Sequence, residues 1–151
     1  MFKRLIVTLA GTLVIGVSGA MAATTQAGGT SQAGATVQVH SSRYGKVLFD
    51  GGGRALYSFA RDRGAHSSCF GACAKAWPPF LTKGAPHAGA GVTRALLGTT
   101  RRADGGVQVT YAGRPLYYFE GDTRPGQITC QNVSEFGGLW LIVRPSGKPV
   151  R

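Results

Sequence analysis

Acidic residues and catalytic motifs are what this chain most lacks. It has 6 aspartate and glutamate residues against 17 lysine and arginine residues. The sequence contains no Gly-x-Ser-x-Gly nucleophile elbow, no phosphate-binding loop and no His-Glu-x-x-His metal motif. No pair of its few carboxylates has a spacing that suggests a glycosidase. We therefore predict that the protein is not an enzyme and carries no cofactor.

Long apolar runs are also lacking, with one exception near the N-terminus. Residues 5–17 are uncharged and mostly apolar, but the run is shorter than the roughly 20 residues that span a bilayer. Lys3 and Arg4 precede it, and Ala20-Met21-Ala22 follows it, as in a cleavable secretion signal. The sequence predicts a signal peptide over residues 1–22. It also predicts an exported protein, periplasmic or secreted, with no transmembrane segment in the mature part.

The basic residues do not cluster. Without the predicted signal peptide, 15 basic and 6 acidic residues remain, a net charge of +9. These charges are scattered from Arg43 to Arg151, and Arg101-Arg102 is the only adjacent pair. The pattern therefore predicts no specific binding of nucleic acid. The net charge instead favours anionic surroundings, such as phospholipid headgroups or acidic polysaccharide.

The chain repeats itself at an offset of 60 residues. Residues 45–62 then overlie residues 105–122, and eight of these 18 positions are identical. Residues 23–35 contain only small and polar side chains, so we expect a flexible linker there. We predict a single β domain over residues 36–151, made of two repeats at 36–82 and 95–145.

Alternating apolar residues and glycine-rich turns predict about four short strands in each repeat. The predicted strands are 36–40, 46–49, 54–59 and 77–81 in the first repeat, and 97–102, 107–111, 114–119 and 139–144 in the second. A short helical turn is expected within 68–76. The fold class is mainly all-β: two pseudo-symmetric antiparallel repeats packed as a small sandwich or barrel. Neither repeat is expected to be stable alone, because each has one apolar face to bury.

Each repeat carries the pattern Tyr-x-Phe-x-x-Asp, formed by Tyr57, Phe59 and Asp62 in the first and by Tyr117, Phe119 and Asp122 in the second. Tyrosine and phenylalanine two residues apart share one face of a strand and suit a core. The aspartate after the strand can accept N–H bonds in a turn. We interpret the motif, with Trp77 and Trp140, as structural, and expect Arg54 and Arg114 to pair with the aspartates. The alternative is an aromatic platform that stacks on a sugar or holds a cation.

The three cysteines leave their pairing open. Cys69 and Cys73 are close enough in sequence to pair in an oxidising compartment. Cys130 lies eight residues past Asp122, and Cys69 seven past Asp62, so a cross-repeat bond to Cys130 competes. In the reduced form, His66, Cys69 and Cys73 would offer an imidazole and two thiolates to copper(I) or zinc, without a clear fourth ligand.

Several linked motifs resemble the bacterial secreted-repeat proteins, predicted lipoproteins with a Yx(FWY)xxD motif and of unknown function. These are the two tyrosine–aspartate motifs, the segment from Cys69-Phe-Gly-Ala-Cys73 to Trp77-Pro-Pro, Arg101 to Gly105, and Gly137-Gly-Leu-Trp140. The resemblance implies a Cys69–Cys73 disulfide, because the family carries both cysteines in one segment. Cys130 is then free or available for an intermolecular bond in a dimer. The lipid-modified cysteine of those proteins is missing here.

We therefore expect an exported, non-catalytic β-repeat module that is associated with the envelope as a binding or structural protein. Its partner would be an anionic envelope component or a glycan. We place its working surface on the loops 61–79 and 123–138, which run from each motif aspartate toward a tryptophan. The alternative is a periplasmic copper or redox carrier that uses His66, Cys69 and Cys73.

Overall fold

The computed structural model describes residues 34–151. The predicted signal peptide and residues 23–33 of the predicted linker lie outside the described residues. The first strand begins at Thr36, which is where the sequence predicts that folded structure starts.

The described part contains nine strands, one α-helix and one 3-10 turn. In chain order these are β1 (Thr36–Ser42), β2 (Gly45–Asp50), β3 (Tyr57–Phe59), α1 (Ala72–Ala76), β4 (His87–Ala88), the 3-10 turn (Arg94–Leu96), β5 (Leu97–Arg101), β6 (Val107–Tyr111), β7 (Arg114–Pro115), β8 (Val133–Glu135) and β9 (Gly138–Ile142). The helix lies within the segment in which the sequence predicts a helical turn.

An antiparallel pair of strands opens each repeat. In the first repeat β1 pairs with β2, and in the second β5 pairs with β6. The turn between β6 and β7 consists of Ala112 and Gly113, whose φ angles are 49° and 71°. Two positive φ angles are what a tight two-residue hairpin turn requires, and glycine adopts the second of them without strain.

Three predicted strands are shorter or less regular than their sequence pattern suggests. The predicted strand 54–59 is reduced to β3 with an isolated bridge at Ala55, and 114–119 to β7 with a bridge at Tyr117. Residues 77–81 form only isolated bridges, at Pro79 and Leu81. Proline has no N–H to donate, so the consecutive Pro78 and Pro79 prevent a continuous ladder there.

Strands of the two repeats pair with each other. One three-stranded sheet has the order β3-β9-β8, so a strand of the first repeat pairs with a strand of the second. Tyr57 and Tyr117 occupy equivalent motif positions, and each donates its N–H to the other's carbonyl oxygen, at 2.8 and 2.9 Å. This reciprocal bridge marks the pseudo-twofold relation. The mainly β class and the sandwich-like packing of two repeats are confirmed.

The core consists of two clusters of buried side chains. One is built around Trp77, Trp140 and the motif aromatics, and the other around Leu48, Leu116 and Tyr111. Both clusters include residues of both repeats, so the two repeats bury their apolar surface against each other. Among residues 34–151, no helix has the length and apolar character needed to cross a membrane.

Candidate functional site

The motif tyrosines bond to the motif aspartates of the opposite repeat. The Tyr57 hydroxyl donates to Oδ2 of Asp122 at 2.6 Å, and the Tyr117 hydroxyl donates to Oδ2 of Asp62 at 2.7 Å. Both tyrosines are fully buried. The pairs therefore connect the two repeats through side chains as well as through the backbone.

The second oxygen of each aspartate holds the loop that follows it. Oδ1 of Asp62 accepts bonds from the backbone N–H and the hydroxyl of Ser68, at 2.8 and 2.9 Å. Oδ1 of Asp122 accepts the same two bonds from Thr129, at 3.0 and 2.6 Å. Each carboxylate thus fixes one end of a loop in its own repeat to a tyrosine of the other.

The tryptophans form the centre of a stack of four rings. Trp77 and Trp140 are parallel with centroids 4.0 Å apart, Phe59 stacks on Trp140 at 4.1 Å, and Phe119 packs on Trp77 at 4.7 Å. Glu135 accepts both indole N–H groups, one with its carboxylate and one with its backbone oxygen. Both tryptophans are 0% exposed. Their faces are covered by other rings, so neither indole has an open face on which a sugar could stack.

Burial governs the ionisation of these groups. Burial raises the pKa of Tyr57 and of Tyr117 well above the ordinary value, and the hydrogen bond to an aspartate acts in the same direction in each case. Burial also raises the pKa of Asp62, against the lowering effect of its bonds from Ser68 and Tyr117.

The expected pairing of Arg54 and Arg114 with the motif aspartates is wrong. The Arg54 guanidinium lies over the ring of Tyr118 and donates to the backbone oxygens of Phe119 and Asp122. Arg114 is exposed. Tyrosine, serine and threonine donors already occupy the aspartate oxygens, so little acceptor capacity is left for a guanidinium.

Cys69 and Cys73 form a disulfide, with Cα atoms 5.2 Å apart, at the start of α1. Cys130 is free and partly buried, and it follows Thr129 as Cys69 follows Ser68. Burial, followed by the nearby Glu135 and Asp122 charges, raises the pKa of the Cys130 thiol. His66 is exposed on the loop. No group of three metal-ligating side chains in a suitable arrangement was found among residues 34–151.

The loop after Asp62 forms two adjoining clefts lined by basic residues. One, of about 310 Å³, is lined by Arg61, Arg63, His66, Ser67 and Ser68. The next, of about 380 Å³, is lined by His66, Ser67, Phe70, Arg101, Arg102 and Ala103. The clefts share His66 and Ser67, and neither is lined by an acidic residue. The loop after Asp122 contributes to a cleft that also contains two arginines, Arg43 and Arg124.

The buried Arg102 lines the bottom of the second cleft and holds the surrounding residues through hydrogen bonds. Its guanidinium donates to the Ser67 hydroxyl, to Gln108 and to the backbone oxygen of Cys69, each at 2.8 Å. It also pairs with Asp104 at 3.0 Å, and the Phe70 ring lies 4.6 Å from its carbon Cζ. The loop that carries the basic residues is therefore held in place by a buried arginine of the other repeat.

Sequence reasoning did not identify several of these residues. The equivalence of Ser68 and Thr129 could have been found, since both follow the motif aspartate by six or seven residues and both offer a hydroxyl. Arg102 belongs to the Arg101–Gly105 motif, but its role and that of Glu135 were not evident, because a buried charge and an indole acceptor are seen only in the folded chain. The cross-repeat direction of the tyrosine–aspartate bonds was likewise not predictable.

A family model described as a secreted repeat of unknown function matches the chain twice, over residues 38–80 and 98–144. These two matches coincide with the two repeats described above. No curated protein and no solved structure is similar enough to count as a match.

Proposed function

Because this chain belongs to the family of secreted repeats of unknown function, we propose that it is an exported, non-catalytic binding module. Its partner is an anionic component of the cell envelope. The compartment is the periplasm or the cell exterior. The observation that carries the proposal is that most of the few acidic side chains accept hydrogen bonds within the fold and do not pair with the exposed arginines.

Five of the six acidic side chains accept hydrogen bonds inside the fold. Their donors are mainly hydroxyl, indole and backbone N–H groups: Tyr118 and the turn backbone for Asp50, Tyr117 and Ser68 for Asp62, Arg102 for Asp104, Tyr57 and Thr129 for Asp122, and Trp77 for Glu135. Arg102–Asp104 is the single ion pair among residues 34–151. The exposed arginines consequently have no carboxylate partner within this part of the chain, and their positive field extends into solvent.

The same observation supports a non-catalytic role. The aspartates and tyrosines that recur in both repeats are occupied by each other and by the loops they hold. A group that acts as a general base must reach a substrate proton directly or through one water molecule. Asp122 is buried, and both oxygens of Asp62 are occupied by donors of the fold, so neither carboxylate offers that access.

The test is binding of the mature chain to anionic and neutral envelope components over a salt series. We would compare phosphatidylcholine vesicles with vesicles containing phosphatidylglycerol, and an acidic polysaccharide with a neutral one. We expect binding to the anionic member of a pair, weakening between about 0.05 and 0.5 M salt. Equal binding to neutral and anionic members, or no binding at all, would refute the proposal. Complete loss at modest salt would indicate net charge without a defined site.

The copper or redox carrier remains the alternative proposal. Two of the three metal ligands in this alternative, Cys69 and Cys73, are joined in a disulfide and are therefore not thiolates. The carrier would have to bind metal in a reduced form of the protein. Thiol counting and metal analysis on protein from its native compartment distinguish the two proposals. One thiol per chain without stoichiometric metal would exclude the carrier, whereas three thiols with bound copper would favour it. A chain linked to a second copy through Cys130 would show no thiol.

A further inference from the structure

We propose, resting on the proposed function above, that the protein docks on an anionic phospholipid surface through one basic and aromatic patch. The patch is formed by six exposed residues: Arg61, Arg63, His66, Phe70, Arg101 and Phe136. The arginines would bind lipid phosphates, and the two phenylalanines would enter the interface between headgroups and acyl chains.

The six residues form a connected surface. Arg61, Arg63 and His66 line one cleft, and His66, Phe70 and Arg101 line the adjoining one. Arg61 also donates to the backbone oxygen of Phe136 at 3.1 Å, which brings the turn containing Phe136 against the first cleft. Arginine is suited to phosphate because its planar fork presents several N–H donors to the oxygens of one group.

Exposed aromatic rings distinguish this patch from an ordinary basic surface. Phe70 is 39% exposed and Phe136 is 41% exposed, and Leu81 is the only other large apolar side chain exposed to a similar degree among residues 34–151. Phe70 lines one of the basic clefts, and the turn that carries Phe136 is bonded through its backbone to Arg61 of the other. Phenylalanine beside arginine is typical of surfaces that combine apolar insertion with attraction to anionic lipid.

The backbone at Phe136 gives an independent reason to assign a function to it. Phe136 and Gly137 form the two-residue turn between β8 and β9, with φ angles of 53° and 82°. Asparagine, aspartate or glycine is the preferred residue at the first of these positions. Phenylalanine there is strained and partly exposed. Residues held at such φ angles cluster at functional positions, and 41% of Phe136 is exposed for contact with a partner.

A cleft of about 390 Å³ borders Phe136 and is lined by Ala76, Phe119, Glu120, Glu135 and Phe136. Phe136 therefore stands between the first basic cleft, through its bond from Arg61, and a cleft lined by two carboxylates. Glu120 is exposed and would face anionic headgroups at that border. Its removal by Glu120→Gln is therefore expected to strengthen docking modestly.

The experiment measures sedimentation of the mature chain with vesicles of phosphatidylcholine and phosphatidylglycerol. Phe136→Asn is expected to weaken vesicle binding on the order of tenfold, chiefly the part that persists in high salt. Its urea midpoint should equal or exceed that of the wild type, because asparagine accepts the positive φ. Arg63→Gln is expected to weaken binding about fivefold, chiefly the part that salt removes.

Matched controls lie away from the patch. Leu81→Asn removes an apolar side chain that is 48% exposed, and Arg114→Gln removes an exposed arginine. Both should bind vesicles within about twofold of the wild type. If Phe136→Asn binds like the wild type, or Leu81→Asn loses as much as Phe136→Asn, the proposed patch is wrong.

The outcomes separate this proposal from the broader one. Binding to acidic polysaccharide without binding to anionic vesicles would overturn phospholipid docking and leave an anionic envelope partner in place. Absence of binding to both would overturn both proposals. Vesicle binding that depends on Arg63 and Phe136, but not on Arg114 and Leu81, would support both.

Discussion

At the scale of single residues, the tyrosine hydroxyl of one repeat and the aspartate of the other come within hydrogen-bond distance only when the two repeats fold together. Asp122 is 1% exposed, and its two oxygens accept bonds from Tyr57 and Thr129. A buried carboxylate costs free energy unless such donors surround it. The hydroxyl of Tyr57 is therefore needed for more than the packing of its ring.

The change Tyr57→Phe tests this argument. It keeps the ring but leaves Oδ2 of Asp122 without its donor, so the free energy of unfolding should fall by about 1–3 kcal/mol. Urea unfolding followed by circular dichroism measures the change. Tyr44→Phe is the control, because the Tyr44 hydroxyl has no side-chain hydrogen bond in the described part and that variant should stay within about 0.5 kcal/mol. Equal effects of the two substitutions would contradict the argument.

Asp62 makes the stability depend on pH. Burial raises its pKa in the folded chain above the ordinary value of 3.8. Between that value and the raised one, the folded state holds more protons than the unfolded state, so this group's contribution to stability decreases as pH rises. Asp62→Asn removes the titration. Its stability relative to the wild type should therefore increase as the pH rises above about 4 and become constant above the raised pKa.

Urea unfolding of both proteins at several pH values supplies this difference. The pKa of Asp104 is lowered chiefly by the hydrogen bond from Arg102, so Asp104 makes the stability change with pH in the opposite direction. This contribution is the same in both proteins and cancels in the difference between their free energies of unfolding. A difference that is flat, or that decreases with pH, would show that burial of Asp62 does not determine its ionisation.

At the scale of elements, the disulfide closes a small loop at the beginning of α1. Cys69 and Cys73 are separated by four residues and both are buried. A loop of this size restricts the unfolded chain only slightly, so the bond should contribute about 2 kcal/mol. The disulfide mainly fixes the position of the loop 61–79, because the helix α1 in this loop is followed directly by the buried Trp77.

The double change Cys69→Ala with Cys73→Ala should lower the free energy of unfolding by about 2 kcal/mol. Cys130→Ser is the matched control, and because Cys130 is unpaired we expect a smaller effect. Thiol titration should give one thiol for the wild type and one for the double variant. A wild-type count of three would mean that the disulfide is not formed in solution.

The sequence predicts best those elements whose strand pattern and turn residues lie next to each other in the chain. The strand 107–111 and the turn at Ala112-Gly113 are found as predicted, because alternation and glycine act locally. The segment containing Pro78 and Pro79 is less regular because proline has no N–H to donate, and its isolated bridges are made to residues of the other repeat. The same limit applies to the site. Tyr57 and Asp122 are 65 residues apart, and the sequence does not show which tyrosine meets which aspartate.

At the scale of the whole molecule, the repeats are interlocked rather than merely adjacent. Phe80 of the first repeat bonds through its backbone to Leu116 and Val109 of the second. Strand β3 of the first pairs with β9 of the second. The tyrosine–aspartate pairs cross in both directions. An isolated repeat would expose its half of both core clusters and leave Asp62 or Asp122 without its tyrosine.

Separate expression of residues 34–92 and 93–151 tests this dependence. Each fragment alone should lack the near-ultraviolet circular dichroism of packed tryptophan, because Trp77 and Trp140 each require the other fragment for their stacking partner. Mixing the fragments should restore part of that signal, since the cut lies outside the β strands. The intact chain should unfold in a single transition with coincident tryptophan fluorescence and far-ultraviolet signals. A fragment that folds alone, or two separate transitions in the intact chain, would show that the repeats are independent units joined only by their contact surface.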